Sequence, residues 1–508
     1  MPEYREPGVY VEEVPTGPRS IEGVSTSTAG FVGETERGPT GPRLVTSWVD
    51  YNRWFGGFLD VPTLNRANWY LPYAVRGFFE NGGQRLYVAR VIGDAATPAS
   101  VVLAGASGPT TVVANGKGTW GNNVVVVVKQ ASAAIVADPA SPVARWFRIQ
   151  ISYYRDGVPN PLVDPDASED FDDLSPVTSE PNFAPTVING ASQLIELADC
   201  QSTPDPVPFP GVSLANGTYL PAAREDYLAG LSTIPEVSLV AIPDEIAIPQ
   251  LGMDLLDYCE AMRDRFAILV EQTDTGDISQ VVPLRDSSYG AIYYPRVRVA
   301  APHLPDGDVL VPPHGHVAGI YARVDTERGV HKAPANEVVR GIVPRAVSGG
   351  REPLSHTLSK AEQDILNPRG VNLIRDFRGN NRGIRLWGAR TMSSDSEWKY
   401  INVRRLLIFL EQSIDRGIQW MVFQPNSEPT WIAVRQSITN FLRTVWRDGA
   451  LLGVTDDEAF FVRCDRSTMT QDDIDNGRLI CLIGVAPVKP AEFVIFRISQ
   501  LLAASAGL

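Results

Sequence analysis

VSLVAIPDEIAIPQLGMDLLDYCEAMRDRFAILVE, residues 237–271, carries the clearest pattern of secondary structure in the sequence. Its two ends, 237–242 and 266–271, are short runs of apolar residues of the kind found in buried strands. Between them, residues 250–263 have the spacing of an amphipathic helix. A strand, a helix and a second strand in this order predict a parallel sheet with helices packed on its faces.

The pattern of strands and helices continues on both sides of this stretch. Strands are predicted at 29–33, 86–91, 290–299, 383–387, 419–424, 460–464 and 479–485, and helices at 48–55, 68–80, 398–416 and 429–447. Residues 93–224 are richer in Ala, Ser, Pro and Gly and predict short strands. The sequence thus predicts a multidomain chain of α+β and α/β type, with an N-terminal arm (1–22), the N-terminal part of a core α+β domain (23–92), an inserted, mostly β outer domain (93–224), an α/β domain (225–390), a C-terminal core domain (391–489) and a C-terminal linker strand (490–508).

Composition narrows the class of protein. The chain has 508 residues, 44% of them apolar, and a net charge of -14. A protein that neutralises many phosphates needs a clustered excess of Lys and Arg, so no nucleic-acid partner is expected. The opening MPEYREPGVYVEEV is unlike a secretory signal, and the longest apolar runs are far shorter than the ~20 residues of a membrane-spanning helix. No membrane insertion is expected.

The four cysteines, Cys200, Cys259, Cys464 and Cys481, lie far apart in the sequence. Their spacing is not that of a zinc site or of a compact disulfide scaffold. The four cysteines are therefore interpreted as buried thiols of a protein in a reducing compartment.

Three patterns that suggest a ligand have simpler interpretations. GKGTWG (116–121) matches a dinucleotide fingerprint, but a predicted strand follows it instead of a helix, so a glycine turn is favoured. His314 and His316 in VPPHGHVAG (311–319) are interpreted as ordinary histidines of a loop rich in proline and glycine. The aspartates at 472–475 lack the spacing of a calcium loop and predict a solvated turn. The sequence therefore predicts no catalytic residues, no cofactor and no metal.

The predicted helix 429–447 has two distinct sides. Six apolar residues fall within one arc of roughly 100° and predict a face buried in a core: Trp431, Val434, Ile438, Phe441, Leu442 and Val445. Arg443 and Arg447 fall on the other side, with Arg435 at its flank, in an otherwise acidic chain. This basic stripe is either a contact for an acidic partner or a solvated face.

The two ends of the chain carry short apolar runs. Prolines surround GVYV (8–11), which predicts an extended arm with one brief strand, and residues 493–498 predict another strand. The residues expected to lie in these arms are Val9, Tyr10, Val11 and Val14 at one end and Phe493, Val494, Ile495 and Phe496 at the other. An isolated strand of this length needs a partner sheet.

Several motifs, in their order along the chain, resemble the contractile tail sheath family of phage tails and tail-like injection systems. They are PGVYVEE (7–13), GTWGN (118–122), SYGAIYYP (288–295), VAGIYARVD (317–325), GVHKAPAN (329–336), WGART (387–391), YINVRR (400–405), WRDGAL (446–451) and PAEF (490–493). The resemblance covers both ends and most of residues 235–500. Within 93–224 it is limited to the GTWGN motif.

The resemblance implies a fold and a function. Residues 225–390 would be subtilisin-like, residues 391–489 would be the core sheath domain, and terminal strands exchanged between neighbours would complete a sheet in that domain. Subunits would stack as six-membered rings around an inner tube and contract, with the energy stored in a metastable lattice. The expected partners are further copies of the chain, the inner tube protein, which Arg435, Arg443 and Arg447 would face, and the baseplate and terminal cap proteins. Assembly would be cytoplasmic, and the final particle cytoplasmic, extracellular after lysis, or part of a virion tail.

Two alternatives stay open at this point. One is a different structural protein, such as a capsid or an adhesin, since these also exchange strands. The other is a hydrolase built on the α/β domain. Asp244 is predicted at a strand end, as in a catalytic triad, but no matching His or Ser motif accompanies it. The hydrolase is therefore disfavoured.

Overall fold

The structure of the chain is a computed structural model. It describes residues 20–59, 69–136, 145–157, 163–228, 230–343, 352–493 and 495. These residues fall into two compact units, one made of 25–404 and the other of 405–493 and 495 together with 20–24.

The secondary structure alternates along the described residues. The strands are β1 (Ala29–Gly33), β2 (Arg43–Val45), β3 (Leu86–Arg90), β4 (Ser100–Leu103), β5 (Thr110–Ala114), β6 (Val124–Gln130), β7 (Phe147–Tyr153), β8 (Ala167–Leu174), β9 (Ile195–Cys200), β10 (Val207–Ser213), β11 (Leu239–Ala241), β12 (Phe266–Val270), β13 (Gly290–Tyr294), β14 (Val297–Ala300), β15 (Asp308–Val311), β16 (Glu337–Val338), β17 (Val371–Asp376), β18 (Ile384–Trp387), β19 (Phe460–Arg463) and β20 (Leu482–Val485). The helices are α1 (Trp48–Phe55), α2 (Leu71–Glu80), α3 (Ser132–Val136), α4 (Ala184–Ala191), α5 (Gln250–Met262), α6 (His314–Arg328), α7 (Lys360–Leu366), α8 (Ile401–Gly417), α9 (Glu428–Arg447), α10 (Asp456–Ala459) and α11 (Gln471–Asp475).

The larger unit is built on a nine-stranded mixed sheet. Its strand order is β16-β18-β17-β13-β12-β11-β1-β3-β2. The six strands from β17 to β3 run parallel, and β16, β18 and β2 are added antiparallel at the edges. The parallel sheet expected from residues 237–271 is confirmed. Strands from 29–90 and from 239–387 share this sheet, so two segments that the sequence analysis treated separately lie in one unit.

Both faces of the sheet are covered, which explains why its strands are apolar throughout. Along β12, Ile268 belongs to the core on one face, with α2 and α6, and Leu269 belongs to the core on the other face, with α5. In β1, Phe31 and Val32 divide in the same way. Successive residues of a strand point to opposite faces, so each strand contributes to both cores.

The helices α2 and α6 approach each other closely because α6 carries glycines on the facing side. A Cβ atom added to Gly319 would lie within hard contact of the Phe78 carbonyl, and one added to Gly315 would overlap the backbone of Ala74. Glycine is required where two backbones come this close. The same packing sets the ring of His316 against Gly77 of α2.

The histidine segment is therefore not the loop that the sequence predicted. His314 begins α6, and both His314 and His316 are fully buried. Proline is compatible with the residues that precede a helix, so Pro312 and Pro313 mark the start of α6 here.

Three other local predictions differ from the structure. Residues 419–421 form a 3-10 turn in place of the predicted strand, and Phe423 has a positive φ of 68° that a strand does not allow. The predicted strand 290–299 is divided into β13 and β14. The aspartate turn contains the short helix α11, capped by Thr470 and Asp473.

Residues 93–224 contribute two smaller antiparallel sheets around a separate core. Their strand orders are β10-β6-β7-β8 and β4-β5-β9. Trp120, Val126, Ile149 and Leu197 are buried in the core between them. The segment Gly116–Gly121 leads through a 3-10 turn into β6, as a glycine turn before a strand should.

Candidate assembly surfaces

The smaller unit contains a β-hairpin with open edges. β19 and β20 pair antiparallel, from Phe460 opposite Val485 to Arg463 opposite Leu482. Within the described residues, neither strand joins a third strand of a sheet. Unpaired N–H and C=O groups on the edge of a strand are a template for a strand from another chain. The hairpin is therefore a candidate site for strand addition.

One face of this hairpin is apolar and exposed. Phe461 and Leu482 are 45% and 51% exposed. The Phe461 ring lies across Gly484 on the neighbouring strand, at a place where a Cβ atom would collide with it. The Arg463 guanidinium stands 5.3 Å from the centroid of the same ring. Exposed apolar side chains grouped on a strand mark an interaction surface.

The opposite face of the hairpin and the helices form the core of the smaller unit. Phe460 is buried, and so is the apolar arc of α9. The six residues predicted for this arc are all buried, which confirms the prediction from helical periodicity. Phe441 of α9 meets Phe409 of α8 with ring centroids 6.0 Å apart.

The three arginines of α9 have different surroundings. Arg443 Nη2 lies 2.9 Å from Asp456 Oδ2, and the two side chains are 38% and 41% exposed. The hydrogen bond from Arg443 lowers the pKa of Asp456 below its ordinary value. Arg447 is exposed at the end of the helix, while Arg435 is half-buried.

The predicted arm residues lie mostly outside the described part of the chain. This applies to Val9, Tyr10, Val11 and Val14 at the N-terminal end, and to Val494 and Phe496 at the other end. Phe493 and Ile495 are described, with 70% and 79% of their surface exposed. Large apolar side chains with this much exposed surface are typical of an interaction surface that a partner would bury.

The segment 20–24 is held on helix α8. The Val24 amide donates to Ser413 Oγ at 3.1 Å. Ile21 is buried and lies against Gly417, where a Cβ atom would come within 2.6 Å of the Ile21 side chain. Gly23 faces the ring of Phe409 at a similarly close distance. The residues that follow the N-terminal arm are thus anchored on the same unit that carries the hairpin.

Sequence reasoning missed the surface formed by Phe461 and Leu482. Strands 460–464 and 479–485 were predicted, but their pairing depends on contacts between residues about 20 apart. Two adjacent phenylalanines, Phe460 and Phe461, were the available signal, because neighbouring residues of a strand point to opposite faces. One of the two side chains must therefore point away from the core of its own unit.

The hydrolase alternative can be examined at the carboxyl end of β11. His314 Nε2 lies 2.8 Å from Glu245 Oε1, and both side chains are fully buried. Within the described residues, His314 Nδ1 has no hydrogen-bond partner, so no nucleophile is paired with this histidine. Burial, with a smaller contribution from the charge of the nearby Glu34, raises the pKa of Asp244 to about 7. Burial also lowers the pKa of His316 to about 4, which keeps this imidazole neutral.

The described part of the chain contains neither a cluster of metal-ligating side chains nor a helix suited to a bilayer. No group of three or more His, Cys, Asp and Glu side chains there is arranged to hold a metal ion. In the same part of the chain, every helix is too short or too polar to cross a bilayer.

Two family models match adjacent parts of the chain. The phage tail sheath protein central domain matches residues 221–392, and the phage tail sheath C-terminal domain matches residues 393–500. Together they cover more than half of the sequence. These models define the class of protein: a structural component of tails, from a family that is not an enzyme family.

Curated relatives agree with this class. A tail sheath protein of Burkholderia phage BcepMu is 30% identical over 169 residues, which cover 31% of this chain and 34% of the phage protein. A prophage major tail sheath protein of Pseudomonas aeruginosa (strain UCBPP-PA14) is 27% identical over 190 residues, covering 37% and 45%. The alignments thus span less than half the length of these relatives. The chain belongs to the phage tail sheath family.

Solved structures resemble the chain over almost its full length. The sheath complex of PVC, an extracellular contractile injection system, in its contracted state has a TM-score of 0.60 at 22% identity, covering 99% of each chain. The helical sheath of the anti-feeding prophage in its contracted state has a TM-score of 0.58 at 25% identity, covering 98% of this chain and 100% of the other. The mixed α/β fold is therefore that of sheath proteins.

Proposed function

We propose that this chain is the subunit of a contractile sheath, polymerised as stacked six-membered rings around an inner tube. The membership of the tail sheath family and the likeness to sheaths in a contracted state support this function. In this proposal, contraction of the sheath drives the tube through a target envelope. The chain acts as a structural element and catalyses no reaction.

The observation that carries the proposal is the open hairpin of β19 and β20. Its two strands leave edges unpaired within the described residues, and Phe461 and Leu482 expose apolar surface beside them. In an assembled sheath, terminal segments of neighbouring copies would add strands to this hairpin. The N-terminal arm (Val9, Tyr10, Val11 and Val14) and the C-terminal strand (Phe493 to Phe496) are the segments proposed for this role.

Burial of apolar side chains must stabilise such an exchange. Ordering each residue of an arm costs ~1–2 kcal/mol of backbone entropy, whereas each new hydrogen bond returns only ~1 kcal/mol net. The remainder has to come from apolar area, at ~25 cal/mol per Å2. Phe493 and Ile495 are exposed in the isolated chain and would supply it in the sheath.

The anchor at residues 20–24 supports the same proposal. Ile21 and Val24 are fixed on α8, so an arm made of the preceding residues leaves from the surface of the hairpin unit. An arm with one end fixed lets two subunits move relative to each other while they stay connected. The sheath would then keep its connections as its rings rotate and slide.

The energy for contraction would come from the lattice. An extended sheath assembled in a metastable state releases free energy when its subunits form better interfaces, so no nucleotide is required. The larger unit would move as a rigid body, because its nine-stranded sheet is covered on both faces. The subtilisin-like character of residues 225–390 is part of this proposal and rests on the family resemblance.

The proposed partners follow from the assembly. Further copies of the chain form the rings, baseplate and cap proteins close the two ends, and the inner tube faces Arg435, Arg443 and Arg447 of α9. Charges at such a contact contribute more to register than to strength. Assembly is proposed in the cytoplasm, with the final particle either retained there, released by lysis or carried as a virion tail.

The test is electron microscopy of sheath formed with co-expressed tube protein. Deletion of residues 1–20 should leave a folded monomer that forms no long sheath. Deletion of residues 1–6, which keeps the GVYV segment, is the matched control and should assemble normally. Long striated cylinders from the 1–20 deletion would show that the arm does not link the subunits.

A further inference from the structure

Two of the four cysteines lie opposite each other at the loop end of the hairpin, directly after β19 and directly before β20. The register of β19 and β20 places Arg463 opposite Leu482, and the next pair of residues in the same register is Cys464 and Cys481. Residues directly opposite each other in an antiparallel pair have Cα atoms about 4.5–5.5 Å apart. A disulfide needs Cα atoms about 4.4–6.8 Å apart, so the backbone is already suited to this bond.

The two side chains share one apolar cluster. Cys464 and Cys481 pack with Trp431 of α9 and with Met469 and Leu479 of the intervening loop. Cys464 is buried, whereas Cys481 is partly exposed. Cys481 is therefore within reach of a dissolved reagent, and Cys464 is enclosed in the apolar cluster beside it.

We propose that Cys464 and Cys481 are a redox-sensitive pair that forms a reversible disulfide across the hairpin. The proposal concerns bond formation in the single chain and does not depend on the sheath function. Sequence spacing had indicated separate buried thiols, because 16 residues lie between the two positions in the sequence. The fold joins them through the pairing of β19 with β20.

The electrostatic surroundings agree with this geometry. A hydrogen bond from the Cys481 thiol lowers the pKa of Cys464, and the positive charge of Arg435 acts in the same direction. Donating this bond raises the pKa of Cys481, and burial raises it further, so the proton of the pair stays on Cys481 and Cys464 is the more acidic thiol. The thiolate is the reactive form in disulfide exchange. Burial also raises the pKa of Cys259 beneath the large sheet and that of Cys200 in the inserted domain, and neither lies beside a second cysteine among the described residues. These two thiols serve as internal references.

The oxidant is a low-molecular-weight disulfide such as oxidised glutathione. The partly exposed Cys481 thiol gives its proton to solvent and attacks a sulfur of the glutathione disulfide, which releases one glutathione thiolate and leaves a mixed disulfide on Cys481. The Cys464 sulfur then attacks the Cys481 sulfur and releases the second glutathione thiolate. The chain loses two electrons and two protons, and one molecule of oxidised glutathione becomes two of reduced glutathione.

The disulfide would close the loop of residues 465–480. Within the described residues this loop is held by hydrogen bonds from Asn426 to the Ile474 and Arg478 carbonyls, at 3.4 and 3.2 Å. A covalent closure reduces the freedom of the opened loop. Under the proposed function, release of a particle from a reducing cytoplasm into an oxidising medium would thus fix the loop end of the hairpin whose edges receive neighbouring strands.

The experiment uses the full-length chain equilibrated with oxidised or reduced glutathione, then alkylated and digested with trypsin. Trypsin cuts after Arg463, Arg466 and Arg478, so the disulfide joins peptide 464–466 to a peptide that begins at Leu479. We expect this linked pair in the oxidised sample, together with fully alkylated Cys200 and Cys259. Alkylation of all four thiols, a persistent glutathione adduct on Cys481, or a bond between two chains would each overturn the proposal.

Hydrogen exchange gives a second readout. Oxidation should slow exchange in residues 465–480 by about tenfold or more if the bond closes the loop. Cys464→Ser and Cys481→Ser should each abolish this slowing, and Cys464→Ser should leave the partly exposed Cys481 open to glutathione. The measurements on the unmodified chain decide the question even if a variant fails to fold. They also decide it whether or not the chain assembles into a sheath.

Discussion

Phe461 lies across Gly484 on the hairpin, and the absence of a side chain at position 484 keeps its ring flat on the sheet. The ring covers the neighbouring strand and remains 45% exposed. An aromatic side chain in this position contributes modestly to the isolated chain and more to any contact that covers it.

Phe461→Ala should therefore separate folding from assembly. We expect the free energy of unfolding of the monomer to fall by less than about 2 kcal/mol, since much of the ring is already in water. Sheath formation should be lost, because the ring would be buried in the assembled lattice. Urea unfolding and electron microscopy measure the two effects. Val102→Ala, at an exposed position of β4 in the inserted domain, is the matched control for loss of an exposed apolar group. If the Phe461 variant assembles like the control, this face of the hairpin lies outside the contact.

The role of the arginines of α9 is tested by exchanging charges, because Arg443 already forms an ion pair with Asp456. The double variant Arg443→Asp with Asp456→Arg keeps a pair of opposite charges within the chain. This double variant and the single variant Arg447→Glu each reverse the sign of a charge on the exposed side of α9. We expect both variants to fold normally and to fail to assemble on co-expressed tube, since like charges would then face each other. Co-sedimentation of sheath with tube measures the outcome.

The double variant Arg85→Glu with Glu236→Arg exchanges the charges of another exposed ion pair, in the larger unit, and as the matched control it should assemble normally. Normal assembly of the α9 double variant and of Arg447→Glu would identify the stripe as a solvated face of the helix.

The anchor of residues 20–24 can be tested at Gly417. Gly417→Ala places a methyl group within 2.6 Å of the Ile21 side chain. Alanine favours a helix over glycine by about 1 kcal/mol, so any loss must come from this collision, for which overpacking costs about 1–3 kcal/mol. We expect faster hydrogen exchange at the Val24 amide and less sheath. Ile21→Ala in the same chain should restore part of the protection. An unchanged exchange rate in Gly417→Ala would mean that residues 20–24 adapt without leaving α8.

Local patterns in the sequence predicted local structure well. The buried arc of α9 followed from helical periodicity, because residues three and four apart share a face whatever the rest of the fold does. Residues 237–271 predicted the parallel sheet for a similar reason. Family motifs then identified the class of protein.

Features that depend on distant residues could not be predicted in this way. Gly315, between His314 and His316, favoured a turn in the sequence. In the structure it is part of α6, and glycine is needed there because α6 meets the backbone of Ala74. The contact of Cys464 with Cys481 arises from the register of two strands. The exposed surface of the hairpin depends on which of its side chains the rest of the unit leaves uncovered. In each case the deciding partner lies elsewhere in the chain, where a window of sequence carries no information about it.

A buried carboxyl group makes the stability of the larger unit depend on pH. Asp244 is fully buried and its Oδ2 has no hydrogen-bond partner among the described residues, while Oδ1 accepts from the Tyr70 amide at 3.4 Å. Its pKa rises from the ordinary 3.8 to about 7, so the folded chain holds this proton more tightly than the unfolded chain does. The resulting contribution to stability is fully present below about pH 4 and is lost as the pH rises through 7. This difference in pKa between the folded and unfolded chain corresponds to about 4 kcal/mol in the free energy of unfolding.

Asp244→Asn should remove this dependence, because the amide has nearly the same shape, stays neutral and can still accept from Tyr70. At pH 8 we expect the variant to be more stable than the natural chain by up to about 4 kcal/mol, and at pH 4 the two should differ little. Urea unfolding at a series of pH values between 4 and 8 measures the difference. Parallel profiles for the two proteins would mean that Asp244 is already ionised in the folded chain at neutral pH, with its charge stabilised by the surrounding backbone amides.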